Sequence, residues 1–351
     1  MSRLNSLLAD PLFAASAPGL ALQSKPLGFI DIGARRGVHP SIEPLAGATA
    51  VLLFEPDREE FDSLQSNLAS DTPWKVCQIE PQALAGQEGN ALLHLFSNPN
   101  NNSLRPANLA LIDRYNIAGF DSKGSVTLPA VSLDGILFGG DRVGEDYWGE
   151  FLKLDTQGTE FEILQGAQRT LSERTAAIIV EVEFCHLYEG QKLFSELEIL
   201  LRESGFSFYG FAKVSQRSRK RQPQLDKYKE VWQERSIHAD AVFFKDPLPG
   251  GSKQISLSER GNYVLFTCAL LLGYYDFALE LALETWASGE EAKRIENLVR
   301  QWAALSPEQS YSDALALAEQ VGDRPELANI EVGRFVDRRR QYSDCDDVSF
   351  S

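Results

Sequence analysis

The chain has 351 residues, enough for one large domain and a smaller one, and an ordinary apolar share of 43% from which to build a core. Its 34 Lys and Arg stand against 50 Asp and Glu, a net charge of −16 that argues against broad binding to nucleic acid or to an anionic membrane surface. No apolar run approaches a membrane span, and Cys77, Cys185, Cys268 and Cys345 lack paired or metal-ligand spacing, which suits a reducing, cytoplasmic setting.

Residues 1–26 read as an N-terminal arm, a short helix followed by irregular chain punctuated by Pro11, Pro18 and Pro26. Asp10-Pro11 interrupts the leucines there, which argues against a secretory signal. The stretch from Leu27 to Asp57 then reads strand, tight glycine loop, helix, strand, acidic residue. Gly28 to Ile32 and Ala50 to Phe54 are continuous apolar runs of the kind that parallel strands buried on both faces require. Between them, Gly33, Ala34 and Gly37 form a loop whose glycines allow a sharp turn and a close approach of ligand to backbone. Glu55-Pro56 follows the second strand, where a carboxylate can accept both hydrogen bonds of a ribose diol. A pyrophosphate cofactor calls for G-x-G-x-x-G, whereas this loop reads Asp31-x-Gly33-x-x-x-Gly37. The acid disfavours pyrophosphate and suits a cofactor with an ammonium and a sulfonium, as in S-adenosylmethionine. An ordinary βαβ turn is the plainer alternative.

Asp57 is placed to cap a helix running to Ser70, and Lys75 to Glu80 is a third strand. Past its end, Pro81-Gln82-Ala83-Leu84 lies where an adenine ring would rest in this topology. Ala91 to Phe96 and Val126 to Leu133 read as further strands, the second closing on Asp134. The polar run from Asn98 to Ser103 is either a plain loop or a source of amides and hydroxyls for a polyol, with Asn102 and Ser103 as its candidates. Phe151 to Leu154 is a buried strand that delivers Asp155 to its carboxyl end, where ligands of open α/β sheets collect. Gln157 follows as a third acceptor-binding candidate, Thr159 is placed to cap the next helix, and Glu160 reads as a dipole or capping partner.

Ala176 to Phe184 is the next strand, and its period of two puts Glu181 and Glu183 on one face. Two readings stay open: one carboxylate bonds backbone while the other meets solvent, or Glu181 faces the acceptor with His186 beside it. Leu193 to Ser204 reads as a helix, and Phe206 to Phe211 and Ala239 to Phe244 as the last strands. The basic run Arg217 to Arg221 between them is a solvated loop or a contact for an anionic substrate group. These elements place one domain over residues 27–246, a Pro/Gly linker over 247–252 and a helical extension over 253–351. Within the extension, Tyr263 to Glu280 reads as two helices around a turn at Gly273, with further helices at Glu290 to Leu305 and Ser312 to Val321. The C-terminal helices are the candidate surface for a homo-oligomer.

Four ordered segments carry a resemblance to a known family. Phe29-Ile30-Asp31-Ile32-Gly33-Ala34-x-x-Gly37, Leu53-Phe54-Glu55-Pro56, Val131-Ser132-Leu133-Asp134 and Leu152 to Glu160 together resemble the FkbM family of S-adenosylmethionine-dependent methyltransferases. The later Leu187 to Gln191 and Gly205-Phe206 extend the resemblance over residues 27–245. It implies a class I methyltransferase fold, a Rossmann-like α/β sheet of seven strands with the last antiparallel, and it implies Asp31, Gly33 and Glu55 at the cofactor. Arg35 and Arg36 depart from the smaller or amide residues usual in that loop. It further implies methylation of a hydroxyl oxygen on a sugar, glycan or polyketide-type small molecule. An alcohol must lose its proton as it attacks, so a base is expected within reach: Asp155 first, then Glu181 and His186. No compact metal-ligand set is visible. A methyltransferase-like binding module with a partner-docking helical extension is the second hypothesis, and a nicotinamide-dependent oxidoreductase, disfavoured by the loop spacing, is the third.

Overall fold

The computed structural model describes residues 4–35, 37–68, 72–139, 145–220, 233–304 and 307–340. Seven strands form the main sheet: β1 (Leu27–Ile32), β2 (Thr49–Phe54), β3 (Val76–Glu80), β7 (Phe151–Leu154), β8 (Ala177–Glu183), β9 (Ser207–Arg217) and β10 (Arg235–Phe244). Their order is β3-β2-β1-β7-β8-β10-β9, with β10 antiparallel to both of its neighbours and the other pairings parallel. This is the seven-stranded class I methyltransferase sheet with its last strand reversed. The apolar runs of β1, β2 and β8 are buried at every residue, as strands covered on both faces must be.

Three expectations for the strands and loops change. Ala91 to Phe96 and Val126 to Leu133 do not join the main sheet. They fall in β5 (Gly89–Phe96) and β6 (Ser122–Val131), which with β4 (Ala83–Leu84) make a separate sheet of order β4-β6-β5. Leu133 and Asp134 open a short helix instead, α5 (Leu133–Phe138), because Ser132 Oγ accepts the Gly135 amide and caps it. Between β1 and β2 the expected helix is a 3₁₀ segment (Pro40–Ala48), since Pro44 lies inside it and Leu45 leaves helical geometry. The helix after Asp57 is α3 (Arg58–Leu68), with the Asp57 carboxylate accepting the Glu59 amide at 3.1 Å.

The remaining helices of this region are α4 (Leu109–Tyr115), α6 (Glu160–Gln165), α7 (Gln168–Glu173) and α8 (Phe194–Glu203). One face of the main sheet packs with α5 to α8 around Ile30, Leu52, Leu152 and Ile178. The other face is covered by the two ends of the chain. The arm folds as α1 (Pro11–Ala14) and α2 (Ala17–Ser24), and the region after the linker as α9 (Glu259–Leu272), α10 (Tyr275–Thr285) and α11 (Gly289–Ala303). Phe29, Phe151 and Phe244 of the strands share one buried cluster with Phe13, Leu22, Phe266, Leu281 and Leu298 of those helices. Polar bonds tie the ends together: Glu291 accepts the Ala17 amide at 2.7 Å, and Asp10 accepts from the Gln301 and Trp302 side chains. Gly273, in the left-handed region at φ +86°, turns the chain from α9 to α10. Beyond them α12 (Pro307–Asp323) and α13 (Ala328–Arg340) pair with each other. No helix among the described residues is long and apolar enough to cross a membrane.

Candidate active site

A cavity of about 520 Å³ opens at the carboxyl ends of β1, β2, β7 and β8, the crevice where the strand order reverses between β1 and β7. It gathers Asp31, Gly33, Gly37, Glu55, Pro56, Ala83, Leu84, Asn102, Ser103, Asp155, Gln157 and Glu181. Ala34 is buried behind the lining, its amide 3.3 Å from the Phe54 carbonyl. His186 is not at the site: the chain turns away after β8, leaving it exposed, its carbonyl accepting from the Asn108 amide group. Of the basic run, Arg217 to Lys220 lie outside the cavity, with Lys220 paired to Asp113 at 2.5 Å. Arg36, Arg221, Cys345 and residues 341–351 fall outside the described residues.

Backbone register explains why these groups converge. Asp31 pairs with Lys153 across β1 and β7, and Asp240 pairs with Glu181 across β10 and β8. All lie on the sheet face that carries Phe29, Phe151 and Ile179, two residues or more closer to the cavity. The face thus passes from aromatic and aliphatic to charged as it reaches the crevice. Gly33, at φ +84°, is required by backbone crowding: a Cβ there would sit 2.0 Å from the Asp155 carbonyl oxygen. Gly37, at φ +92°, faces open space, so its need is conformational alone.

Charge at the site is unevenly balanced. The Lys153 ammonium lies 3.2 Å from Asp31 and 3.8 Å from Asp155. Burial works against that ammonium, but the two carboxylates outweigh it and hold its pKa at about 12. Asp31 also accepts the His39 amide at 2.8 Å. Gln157, at a left-handed φ of +61°, donates through Nε2 to Asp155 at 2.7 Å and to Glu181 at 2.8 Å. Burial alone would raise Asp155, yet Lys153 and the Gln157 amide hold it below its ordinary range. Glu181 moves well upward, pushed first by burial and then by the charge of Asp155 beside it. The two neighbouring carboxyls are thus driven apart, Asp155 downward by its cationic and amide partners and Glu181 upward by burial and by the Asp155 charge. Glu55, almost wholly buried, accepts the Asp57 amide at 2.8 Å and is pushed up to about 7, chiefly by burial.

The polar run does span the mouth. Arg35 donates to the Pro99 carbonyl at 2.9 Å and to Asp57 at 3.0 Å, and Asn102 reaches the same carboxylate. Ser103 donates to the Gln157 carbonyl at 2.6 Å, and the Tyr188 hydroxyl bridges Asn101 and Gln157. Thr159 precedes α6 without capping it; its hydroxyl bonds Thr156 instead. Glu160 shapes the loop, accepting the Thr156 and Gly158 amides at 2.6 and 3.0 Å.

Several lining residues escaped the sequence reading: His39, Lys153, His238 and Asp240. Lys153 was visible only as a charge inside an apolar strand. His238-x-Asp240 carries the same period of two as Glu181-x-Glu183, and that shared polar period was the available signal.

A family model described as the methyltransferase FkbM domain matches residues 31–208. No curated protein matches the sequence. Among solved structures, methyltransferase FkbM from Methylobacillus flagellatus KT is 15% identical, over 62% of this chain and 43% of that one, with a TM-score of 0.32. The chain thus spans less than half the length of that structure. Magnesium protoporphyrin IX methyltransferase from Synechocystis PCC 6803, solved with bound S-adenosylmethionine, is 11% identical over 64% of this chain and 74% of that one, with a TM-score of 0.28. With its seven-stranded sheet and a family match across half its length, the chain belongs to the FkbM methyltransferase family.

Proposed function

We propose that the cavity binds S-adenosylmethionine on its Asp31–Glu55–Leu84 side and methylates a hydroxyl of a small molecule or glycan held on its Asp155–Glu181 side. The observation that carries this reading is the convergence of Asp31, Glu55 and Asp155 on one crevice at the sheet's switch point. The residues present fit the cofactor. Glu55 has a carboxylate beyond β2 for a ribose diol, and its raised pKa is what a buried acid without that diol should have. Gln82 has a buried side-chain oxygen without a hydrogen-bond partner, beside Ala83 and Leu84, where an adenine amino group can donate to it. Asp31 supplies negative charge for an ammonium.

When bound, the cofactor supplies an electrophilic methyl group on a positively charged sulfur. The chain's own tasks are alignment, exclusion of water and removal of the acceptor's proton. Asp155, already ionised and engaged by Lys153 and Gln157, is a weak base and serves as an anchor for the acceptor and the cofactor's ammonium. Asn102, Ser103 and Gln157 offer amide and hydroxyl groups to a polyol at the mouth. Thermal melts test the cofactor: S-adenosylmethionine and S-adenosylhomocysteine should raise the melting temperature while NAD and NADP do not. Tight NAD binding without a response to S-adenosylhomocysteine would end this reading. Transfer of labelled methyl onto a panel of glycans and lipids tests the acceptor.

A further inference from the structure

We infer that His238, oriented by Glu181, takes the proton of the acceptor hydroxyl. The inference rests on the reading of the cavity as a hydroxyl-methylating site and names a residue beyond the stretch matched by the family model, which ends at 208. His238 stands on β10 and lines the cavity, half-buried, with Nδ1 2.9 Å from Glu181 Oε1. Opposite β9, the pairing of β10 slips between Ser236 and His238. Such a bulge re-aims the side chain that follows it.

The hydrogen bonds select the tautomer. Glu181 Oε2 accepts from Gln157 Nε2, which also donates to Asp155, so this side of the carboxyl group meets the Asp155 charge that pushes Glu181 upward, while Oε1 faces His238. That arrangement leaves Oε1 as a plain acceptor, so His238 donates from Nδ1 and its Nε2 keeps an open lone pair. Charges from the neighbouring strands bear on the ring: Asp155 at the end of β7, Asp240 on β10, and Lys213 and Arg217 on β9, while Glu183 stands opposite it on β8. Burial pushes His238 below its ordinary value, so it is uncharged and available as a base near neutrality. The negative charge on Asp155 then stabilises the imidazolium that forms.

The step balances within the site. The acceptor oxygen forms its bond to the methyl carbon as the carbon–sulfur bond breaks, its electron pair going to sulfur. The O–H electrons stay on oxygen, and the proton passes to His238 Nε2 and from there to solvent. Glu181 acts through His238 as a positioning residue.

The test begins with ¹⁵N NMR of histidine-labelled protein, which needs no acceptor. The sequence has only 4 His, and His238→Asn assigns the signal. In the complex with S-adenosylhomocysteine at neutral pH, His238 should carry its proton on Nδ1 with Nε2 bare. Glu181→Ala should move that proton to Nε2, while Glu181→Gln, which mimics the neutral acid, should retain the wild-type tautomer. A proton on Nε2 in the wild type, or an unchanged tautomer in Glu181→Ala, would overturn the inference. Methyl transfer to the methyl glycosides of glucose, galactose and rhamnose supplies the kinetic arm. His238→Asn keeps a donor for Glu181 but loses Nε2, so kcat should fall roughly 10²–10⁴-fold, with S-adenosylhomocysteine affinity unchanged. Wild-type turnover in His238→Asn would also overturn it. A wild-type enzyme that binds S-adenosylhomocysteine and methylates none of these glycosides counts against the acceptor reading, while the tautomer still decides the role of His238.

Discussion

The two ends of one sheet face handle buried charge in opposite ways. At the lower end, below Phe29 and Phe151, Glu150 is met on every side: it accepts the Gly28 amide at 3.1 Å and two bonds from Arg260 at 2.6 and 2.9 Å. Arg260 completes its fork on the carbonyls of Lys25 and Pro26. At the upper end, the carboxyls of Asp31, Asp155 and Glu181 crowd around the Lys153 ammonium, and the charge of Asp155 pushes Glu181 upward. The lower cavity is the larger, about 800 Å³ against about 520 Å³. Volume does not identify the site. Charge left partly uncompensated does, because a fold gains nothing from it and chemistry can use it.

The comparison is broken most severely by removing the helices after the linker. A chain ending at Pro249 loses Arg260 and uncovers Phe29, Phe151 and Phe244. Such a chain should be insoluble or unfolded by circular dichroism; a soluble fragment that still binds S-adenosylhomocysteine would show the sheet to be self-sufficient. Next in size is Arg260→Met, which strands Glu150 and should cost about 3–5 kcal/mol in denaturant melts without touching cofactor affinity. If it weakens the cofactor instead, the two ends are coupled.

Changes at the upper end should act on binding rather than folding. Glu55→Ala should weaken S-adenosylhomocysteine by about 1.5–3 kcal/mol in calorimetry, from lost bonds to a charged acceptor. The pH dependence sharpens this point. Folded Glu55 holds its proton up to about 7, above its ordinary 4.5, so between those values the folded state binds more protons and stability falls as pH rises. The term is about 3 kcal/mol across that window and should vanish in Glu55→Gln. Cofactor affinity should run the other way, rising with pH up to about 7 as the carboxylate becomes available to the ribose. The smallest effect is expected from Asp155→Asn: as an anchor it should raise the acceptor KM or the cofactor Kd about tenfold, with a fall in kcat well short of that in His238→Asn, since the charge facing the imidazolium is lost. A fall in kcat as large as that in His238→Asn would make Asp155 the base.

Much of the site was legible because its residues sit where apolar runs end. Asp31, Glu55, Asp155 and Glu181 each close or follow a buried strand, and parallel strands bring such ends together without further information. His238 and Asp240 were not legible. They reach the same crevice from a strand running the other way, so their position depends on which strand β10 pairs with and in what register. His186 was misplaced because nearness in sequence to Glu181 was taken for nearness in space, and the chain turns between them. The helix between β1 and β2 failed on Pro44, and the β4-β6-β5 sheet was hidden because its strands alternate too weakly to announce a partner. Nor does any periodicity reveal that both chain ends cover one face.

That last arrangement governs how the protein is made. All seven main-sheet strands are complete by Phe244, while the helices that cover Phe29, Phe151 and Phe244 end at Ala303. At ordinary rates of synthesis, about 60 further residues occupy roughly 3–12 s, during which the aromatic face of the sheet has only the N-terminal arm against it. Coverage of that face is therefore incomplete through this interval, and slowing the ribosome late in the message should raise aggregation more than slowing it early.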